Sequence, residues 1–221
     1  MSVKNCFNKA ARNYDEHCHL QITTGEKLLS LIECADRVID LGCGTGLITA
    51  KLKYKKLYAL DLSDKMLEIA EQRLGNKNIT YLCSSFDEIG DLKLDLAFAN
   101  MSLQWSNNFQ DTLNFIKGSL NPSGILAFSI PIEGTFIDID ISTILFLEFD
   151  QIRELLQDWH IIHALSEEHN YNFPNLISAL KSIKSVGANH CHSSKKSIIR
   201  RDTQPKVLKY NIGYFVVRNC A

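Results

Sequence analysis

The chain has 221 residues, of which 45% are apolar, and a formal net charge of −1 at pH 7. These values predict one globular domain with an ample core, which excludes a disordered chain and argues against a nucleic-acid-binding one. Residues 1–13 lack the apolar core of a secretory signal, and the apolar run at residues 141–149 is too short to cross a bilayer. The seven cysteines show no C-x-x-C spacing, which is typical of reduced thiols. We therefore expect a cytoplasmic monomer without membrane or nucleic-acid partners.

The first 35 residues are predicted to form an N-terminal helical cap. Residues 22–32 have apolar side chains at the spacing of an amphipathic helix, which would cover the edge of a sheet. Tyr14, in the segment before this helix, combines an aromatic face with a hydroxyl donor. We predict that Tyr14 lines an active site, with core packing as the alternative. His17 and His19 are predicted to be solvated.

The centre of the chain is a glycine-rich turn after an apolar strand at residues 38–41. The three glycines are Gly42, Gly44 and Gly46. A second apolar run ends in an acid, Asp61. Glycines let backbone N–H groups approach a ligand closely, and an acid at the tip of the next strand can accept hydrogen bonds from a ribose diol. A dinucleotide site would have its third glycine at position 47, so this pattern favours an adenosyl ligand without a pyrophosphate.

Three more elements are predicted to bring polar groups to the same edge. Ser63 is a good N-cap for a helix at residues 65–74. A third strand at residues 79–83 leads into Ser85 and Phe86, and a fourth at residues 94–100 ends at Asn100 and is followed by Trp105. Because ligands of open α/β sheets bind at the carboxyl ends of the strands, these side chains are expected to lie around one site.

The remaining elements follow less regularly. We predict a helix at residues 113–120, a turn at residues 121–124 and a fifth strand at residues 125–130. An acidic insertion follows and is predicted to be a helical lid over the carboxyl edge of the sheet. Further along we predict a sixth strand at residues 160–173, an amphipathic helix that ends at Gly187 and a last strand at residues 210–218. The resulting division is a cap (1–35), a cofactor-binding core (36–131), a lid (132–159) and C-terminal strands with a helix (160–221).

The order of strand, glycine loop, helix, strand and terminal acid resembles the S-adenosylmethionine-dependent methyltransferases of the Rossmann-like class. This resemblance implies an α/β fold with a doubly wound, seven-stranded, mostly parallel sheet whose last strand is antiparallel, plus N-terminal helices and a helical lid. It implies S-adenosyl-L-methionine as cofactor and S-adenosyl-L-homocysteine as product. The implied cofactor-binding residues are Asp40, Gly42, Gly44, Gly46, Asp61, Leu62, Met66, Ser85, Phe86 and Asn100. Ser85 stands where family members usually carry an Asp that accepts a hydrogen bond from the adenine amino group.

Three phrases narrow the resemblance. They are Asn-Met-Ser-Leu-Gln-Trp at residues 100–105, Leu-Lys-Ser-Ile-Lys-Ser-Val-Gly-Ala-Asn-His at residues 180–190, and the closing strand at residues 208–217. Together they resemble the malonyl-carrier-protein O-methyltransferases of biotin synthesis. That resemblance implies methyl transfer to the free carboxylate of a malonyl thioester, with Tyr14 and Trp105 as catalytic candidates that hold the carboxylate. Two alternatives stay open: a methyltransferase for a free small molecule such as a quinone precursor, and a catalytically silent nucleotide-binding interaction protein.

Basic residues are concentrated near the carboxyl end, although the whole chain is nearly neutral. If the carrier-protein interpretation holds, this local positive field is predicted to dock an acidic acyl carrier protein. The alternative is a solvated surface that balances the acidic lid. The predicted docking residues are Lys181, Lys184, Lys195, Lys196, Arg200 and Arg201. The nearby His190, Cys191 and His192 lack the spacing of a structural zinc site, so no metal is expected.

Overall fold

The computed structural model describes residues 2–137, 146–188 and 203–220. Its strands are β1 (Arg37–Leu41), β2 (Lys56–Asp61), β3 (Ile79–Cys83), β4 (Leu94–Asn100), β5 (Leu120–Pro131), β6 (Trp159–Phe173) and β7 (Lys206–Asn219). Its α-helices are α1 (Val3–Ala10), α2 (His19–Leu29), α3 (Asp64–Leu74), α4 (Phe109–Ser119), α5 (Phe149–Leu155) and α6 (Leu176–Ser185). Short 3₁₀ helices lie at Ala11–Glu16, Thr49–Lys51, Phe86–Glu88 and Leu103–Trp105.

The strands of this described part form one sheet in the order β3-β2-β1-β4-β5-β7-β6. Strands β1 to β5 pair in parallel, whereas β7 pairs antiparallel with both β5 and β6. The strand order reverses between β1 and β4, which is the place where open α/β sheets bind ligands. The predicted doubly wound sheet with an antiparallel last strand is therefore confirmed.

Both faces of the sheet are apolar, which explains the continuous apolar runs of the central strands. The consecutive residues Val38 and Ile39 are both fully buried, but they belong to different core clusters. Ile39 packs in the cluster that includes Ile116 of α4, and Val38 in the cluster that includes Leu28 of α2 and Ala70 of α3. Helices thus cover both faces, as the alternation of side chains along a strand requires.

The observed boundaries of three helices can be compared with the boundaries predicted from capping residues and apolar spacing. Ser63 caps α3 as predicted, because its side chain accepts a hydrogen bond from the backbone N–H of Met66 at 3.1 Å. Helix α4 begins at Phe109, earlier than the predicted residue 113, because Asn108 accepts from the N–H of Asp111. Helix α2 ends at Leu29, before the predicted residue 32.

The turn predicted at residues 121–124 is an irregularity inside β5. Ser123 has a φ of +65°, and the pairing register between β4 and β5 shifts between Leu94 and Leu96. The Asn121 side chain donates to Asp95 Oδ1 at 2.8 Å and so ties this bulge to β4. The sequence correctly predicts a change of backbone direction at these residues. However, β5 begins at Leu120, before this irregularity, and not after it.

Helix α5 lies within the segment that was predicted to form a lid. Ile152 and Leu156 are fully buried, and the ring of Phe149 stacks on Phe215 of β7 with centroids 5.0 Å apart. These contacts place α5 in the same core cluster as α4, so residues 149–159 cover a face of the sheet. Residues 138–145 lie outside the described residues, and a lid formed by the segment around them stays a prediction.

Two further observations concern the cysteines and the lengths of the helices. In the described ranges, the six cysteines are free thiols, whereas His190, Cys191 and His192 lie outside those ranges. Within the same ranges, no helix has the length and apolarity that a membrane span requires.

Candidate active site

The three glycines after β1 have three different roles. Gly42 has a φ of +80°, and a Cβ on it would lie 2.5 Å from the Cβ of Ser102, so only glycine fits against that side chain. A Cβ on Gly44, with a φ of +55°, would meet no atom within 4 Å. A Cβ on Gly46 would lie 3.2 Å from that of Ala70 in α3, and Gly46 is absent from the cavity lining described below. Gly46, a predicted cofactor-binding residue, thus packs closely against α3.

Asp61, the last residue of β2, is tied to the glycine loop. Its Oδ2 accepts a hydrogen bond from the N–H of Gly44 at 2.9 Å, and its Oδ1 accepts from the N–H of Ser63 at 2.8 Å. Burial raises the pKa of Asp61 to about 6, although both N–H groups favour the charged form. Each carboxylate oxygen keeps a lone pair beyond these bonds, so the group can accept further hydrogen bonds from a diol.

Asp40 lies on β1 behind the loop. It is buried, its Oδ2 accepts from the hydroxyl of Thr49 at 2.6 Å, and burial raises its pKa to about 7. With Tyr14, Gly42 and Gly44 it lines a small pocket behind the loop. Asp40, which was predicted to bind the cofactor, thus lines this small pocket and not the larger cavity described next.

A cavity of about 310 Å³ opens where β1, β2, β3 and β4 end, and we call it the glycine-loop cavity. Helix α1 and the following 3₁₀ helix close one side of it through Lys4, Phe7 and Tyr14. The predicted residues that line this cavity are Tyr14, Gly42, Gly44, Asp61, Leu62, Met66, Ser85, Phe86, Asn100 and Trp105. The lining also includes Lys4 of α1, a residue that the sequence did not single out.

The side chain of Asn100 forms hydrogen bonds to three other residues of the chain. Its Oδ1 accepts hydrogen bonds from Thr24 at 2.9 Å and from Ser129 at 2.7 Å, and its Nδ2 donates to the carbonyl of Gln21 at 2.8 Å. This network joins α2, β4 and β5 under the next residue, Met101, whose φ of +53° is unusual for a residue other than glycine. Asn100 lines the cavity, but the hydrogen bonds of its amide stabilise the carboxyl end of β4.

Tyr14 is held over the glycine loop by its neighbour. Asp15 accepts a hydrogen bond from the hydroxyl of Thr45 at 2.6 Å, and it also pairs with Arg73 of α3. Arg73 donates in addition to the carbonyl of Thr45. Burial raises the pKa of Tyr14 above its ordinary value, and the nearby Asp61 adds to that effect. The Tyr14 phenol is therefore a proton-bearing hydrogen-bond donor at neutral pH.

A second cavity, of about 70 Å³, also has Tyr14 in its lining, and we call it the α6 cavity. It shares Phe7, Tyr14, Met101 and Trp105 with the glycine-loop cavity. The Phe7 and Trp105 rings meet edge to face, with centroids 5.7 Å apart. The α6 side of the lining includes Ile183, Val186 and Ala188, and the β5 and β7 side includes Thr135, Phe136 and Tyr210. The sequence carries no signal for this second cavity, because its walls come from distant parts of the chain.

The comparisons with known proteins agree with this geometry. A family described as "Methyltransferase domain" matches residues 39–128. Malonyl-[acyl-carrier protein] O-methyltransferase 2 of Coxiella burnetii is 30% identical, with 98% of this chain and 95% of the relative covered. Malonyl-[acyl-carrier protein] O-methyltransferase of Serratia marcescens is 28% identical, with 88% and 81% covered.

This chain belongs to the malonyl-[acyl-carrier protein] O-methyltransferase family. It is a methyltransferase, and S-adenosylmethionine is confirmed as its cofactor. Among solved structures, N-methyltransferase NodS of Bradyrhizobium japonicum, in complex with S-adenosyl-L-homocysteine, has a TM-score of 0.64 at 12% identity and covers 96% of this chain and 99% of its own. The YcgJ protein of Bacillus subtilis has a TM-score of 0.63 at 12% identity, with 90% and 98% covered. At this identity both structures support the fold alone.

The glycine-loop cavity of this methyltransferase fits an adenosyl cofactor by two observations. The space beside Gly44 is open where any other residue would place a Cβ, and the carboxylate of Asp61 lies next to the N–H of that glycine. A ligand can therefore approach the backbone closely while its hydroxyls meet a charged acceptor.

The first prediction concerns Gly44. We expect Gly44→Val to abolish measurable binding of S-adenosylhomocysteine, because the new side chain would occupy the open space of the cavity. Isothermal titration calorimetry measures this. The matched control is Gly75→Val, because Gly75 also has a positive φ, of +71°, and open space around it but lies outside the cavity lining. Normal affinity in the Gly44 variant would contradict the role given to the loop.

The second prediction concerns the pH dependence of cofactor binding. As the pH falls through about 6, Asp61 gains a proton and loses its charge-assisted acceptance of hydrogen bonds. We expect the affinity for S-adenosylhomocysteine to fall roughly tenfold or more between about pH 7.5 and about pH 5. Calorimetry at constant ionic strength measures the profile.

The control for this profile separates the two buried acids. Asp61→Asn should bind more weakly at neutral pH and lose most of the pH dependence, whereas Asp40→Asn should keep the part that belongs to Asp61. An identical pH profile in wild type and Asp61→Asn would show that another group controls the binding.

Proposed function

We propose that this methyltransferase transfers the methyl group of S-adenosylmethionine to the free carboxylate of malonyl-acyl carrier protein, forming the methyl ester that starts the pimeloyl moiety of biotin. The observation that carries the proposal is the boundary shared by the two cavities. Tyr14, Met101 and Trp105 line both, so a cofactor in one and an acceptor in the other would meet at these side chains. The family relatives named for this reaction supply the chemical class of the acceptor.

In this proposal the glycine-loop cavity holds the cofactor. Asp61 accepts hydrogen bonds from the ribose hydroxyls, and Gly44 gives the backbone access to the ligand. Ser85 and Phe86 lie beside the adenine, where the Ser85 hydroxyl replaces the stronger acceptor of an aspartate. Leu62 and Met66 complete the apolar wall of the cavity.

The chemistry requires alignment more than acid-base catalysis. The cofactor supplies an electrophilic methyl group, a carboxylate oxygen forms the new bond to it, and the sulfur–methyl bond breaks. A carboxylate with a solution pKa near ~4 is already ionised at neutral pH, so no general base is required. Tyr14 stays protonated and can donate a hydrogen bond to the second carboxylate oxygen, with Trp105 beside it. Correct alignment of two reacting groups can contribute about 7 to 11 kcal/mol.

Helix α6 links the proposed acceptor site to a proposed docking surface. Ile183 and Val186 line the α6 cavity, whereas Lys181 and Lys184 are exposed on the same helix. An acidic carrier protein that contacts these lysines would approach the wall of the cavity that its acyl arm must enter. The other predicted docking residues, Lys195, Lys196, Arg200 and Arg201, lie outside the described residues.

The experiment that tests the function is an acceptor assay with an isotope-labelled methyl group on the cofactor. We expect transfer to malonyl carried on acyl carrier protein, with weaker transfer to malonyl coenzyme A and none to a quinone precursor. Base hydrolysis should release the label as methanol, because the product is a methyl ester. Transfer to the quinone precursor alone would support the small-molecule alternative, and cofactor binding without any transfer would support the silent one.

Charge reversal on α6 tests the docking surface. We expect the double variant Lys181→Glu and Lys184→Glu to raise the KM for malonyl carrier protein about tenfold at low salt, mostly through slower association. The KM for malonyl coenzyme A should change less. The matched control reverses Lys53 and Lys77, two exposed bases before β2 and β3 at the opposite end of the sheet. Equal effects of the two double variants would mean that only the net charge matters.

A further inference from the structure

Gln104 carries an unexplained polar atom beside the two cavities. It lies in the 3₁₀ helix Leu103–Trp105 after β4, and its Nε2 donates to the carbonyl of Met101 at 2.8 Å. Its Oε1 is buried, and among the described residues it has no hydrogen-bond partner. An unpaired buried acceptor is costly, so such an atom in a native protein requires an explanation.

The orientation of this amide is fixed by its surroundings. If the amide group turned over, Oε1 would face the carbonyl of Met101, and two acceptors would oppose each other. The hydroxyl of Thr135, in the same cavity, is already paired, because it donates to the carbonyl of Asn211 and accepts from its N–H, each at 3.0 Å. Gln104 therefore presents a buried acceptor that no donor of the described lining reaches.

The environment of Gln104 indicates what kind of ligand would supply the missing donor. Gln104 lines the α6 cavity, whose described lining is mainly aromatic and aliphatic. A carboxylate cannot pair with Oε1, because both groups are acceptors. A neutral, slender chain with an N–H group can pair with it while its methylenes meet the apolar walls. The thioester arm of a carrier protein is such a chain, since an amide follows two methylenes after the sulfur.

We infer that Gln104 is an acceptor-binding residue whose Oε1 receives a hydrogen bond from the amide N–H nearest the thioester of the acyl arm. The inference rests on the proposed function, and it adds a specificity-determining contact. Because Oε1 of Gln104 can pair with an N–H but not with a carboxylate, it orients the arm with the carboxylate away from this oxygen and toward Tyr14. A site built to pair a donor rejects analogues that lack the donor, because its own buried acceptor is then left unpaired.

The test uses two small malonyl thioesters that differ at one atom. The first is the N-acetylcysteamine thioester, which has the amide N–H. The second is the S-(4-oxopentyl) thioester, in which a methylene replaces that N–H and the carbonyl is kept. For wild type we expect a KM about tenfold lower for the amide, with similar kcat. If only the protein-borne acceptor is turned over, the same ratio is read from competitive inhibition constants against malonyl carrier protein.

The variant Gln104→Leu removes the acceptor at similar volume. We expect it to bring the ratio of the two constants close to one, through weaker binding of the amide probe alone. Calorimetric affinity for S-adenosylhomocysteine should stay within about twofold of wild type, which shows that the cofactor site is intact. The wild-type ratio needs no variant, so the contact is tested even if Gln104→Leu does not fold.

Two different failures can be told apart. If wild type methylates malonyl carrier protein but does not distinguish the two probes, or if Gln104→Leu keeps the wild-type ratio, the role of Gln104 is wrong and the proposed function stands. If wild type methylates no malonyl thioester, the proposed function fails and the inference fails with it.

Discussion

The hydrogen bond from the N–H of Gly44 to the carboxylate of Asp61 is the interaction on which the site depends, because it joins the tips of β1 and β2. It requires a positive φ at Gly44 and a carboxylate at the last position of β2, and both are met in this sequence. The bond directs a charged acceptor and an open stretch of backbone toward the same space. The parallel pairing of β1 with β2, and the helices that bury both strands, hold these two tips in register.

The N-terminal cap is held to this centre by side chains that are far away in the sequence. Asp15 binds Thr45 of the loop and Arg73 at the end of α3, while Asn8 of α1 donates to Asp64 at the start of the same helix at 3.1 Å. Helix α3 thus anchors the cap at both of its ends, and Tyr14 lies between the two anchor points. Because these are mostly half-exposed polar contacts, each contributes little to the free energy of unfolding. Their main effect is to position the cap over the glycine loop.

Much of this structure was predictable, because the signals are local. Clustered glycines, an acid at a strand tip and Ser63 as a cap each depend on a few consecutive residues, so the strands and the floor of the site followed from the sequence. Contacts between distant residues were not predictable. Gly46 packs against α3, Asn100 forms its side-chain hydrogen bonds with residues of α2 and β5, and the α6 cavity joins Phe7, Met101 and Ile183. The spacing of residues in the sequence cannot predict such contacts, because they form only when the N-terminal cap packs against the sheet.

In the proposed function the two cavities have separate roles, because the glycine-loop cavity binds the cofactor and the α6 cavity binds the acceptor. The glycine-loop cavity is formed by consecutive strand tips, so it depends on the loop that defines the class and carries little information about the acceptor. The α6 cavity is formed by α1, the tip of β4, β7 and α6, which are far apart in the sequence. Gln104, with its unpaired Oε1, lies in the mainly apolar lining of this cavity, and the exposed Lys181 and Lys184 lie on the helix that forms part of that lining. In the proposed function, acceptor choice is therefore a property of α6 and the β4 tip, whereas cofactor choice is a property of the loop.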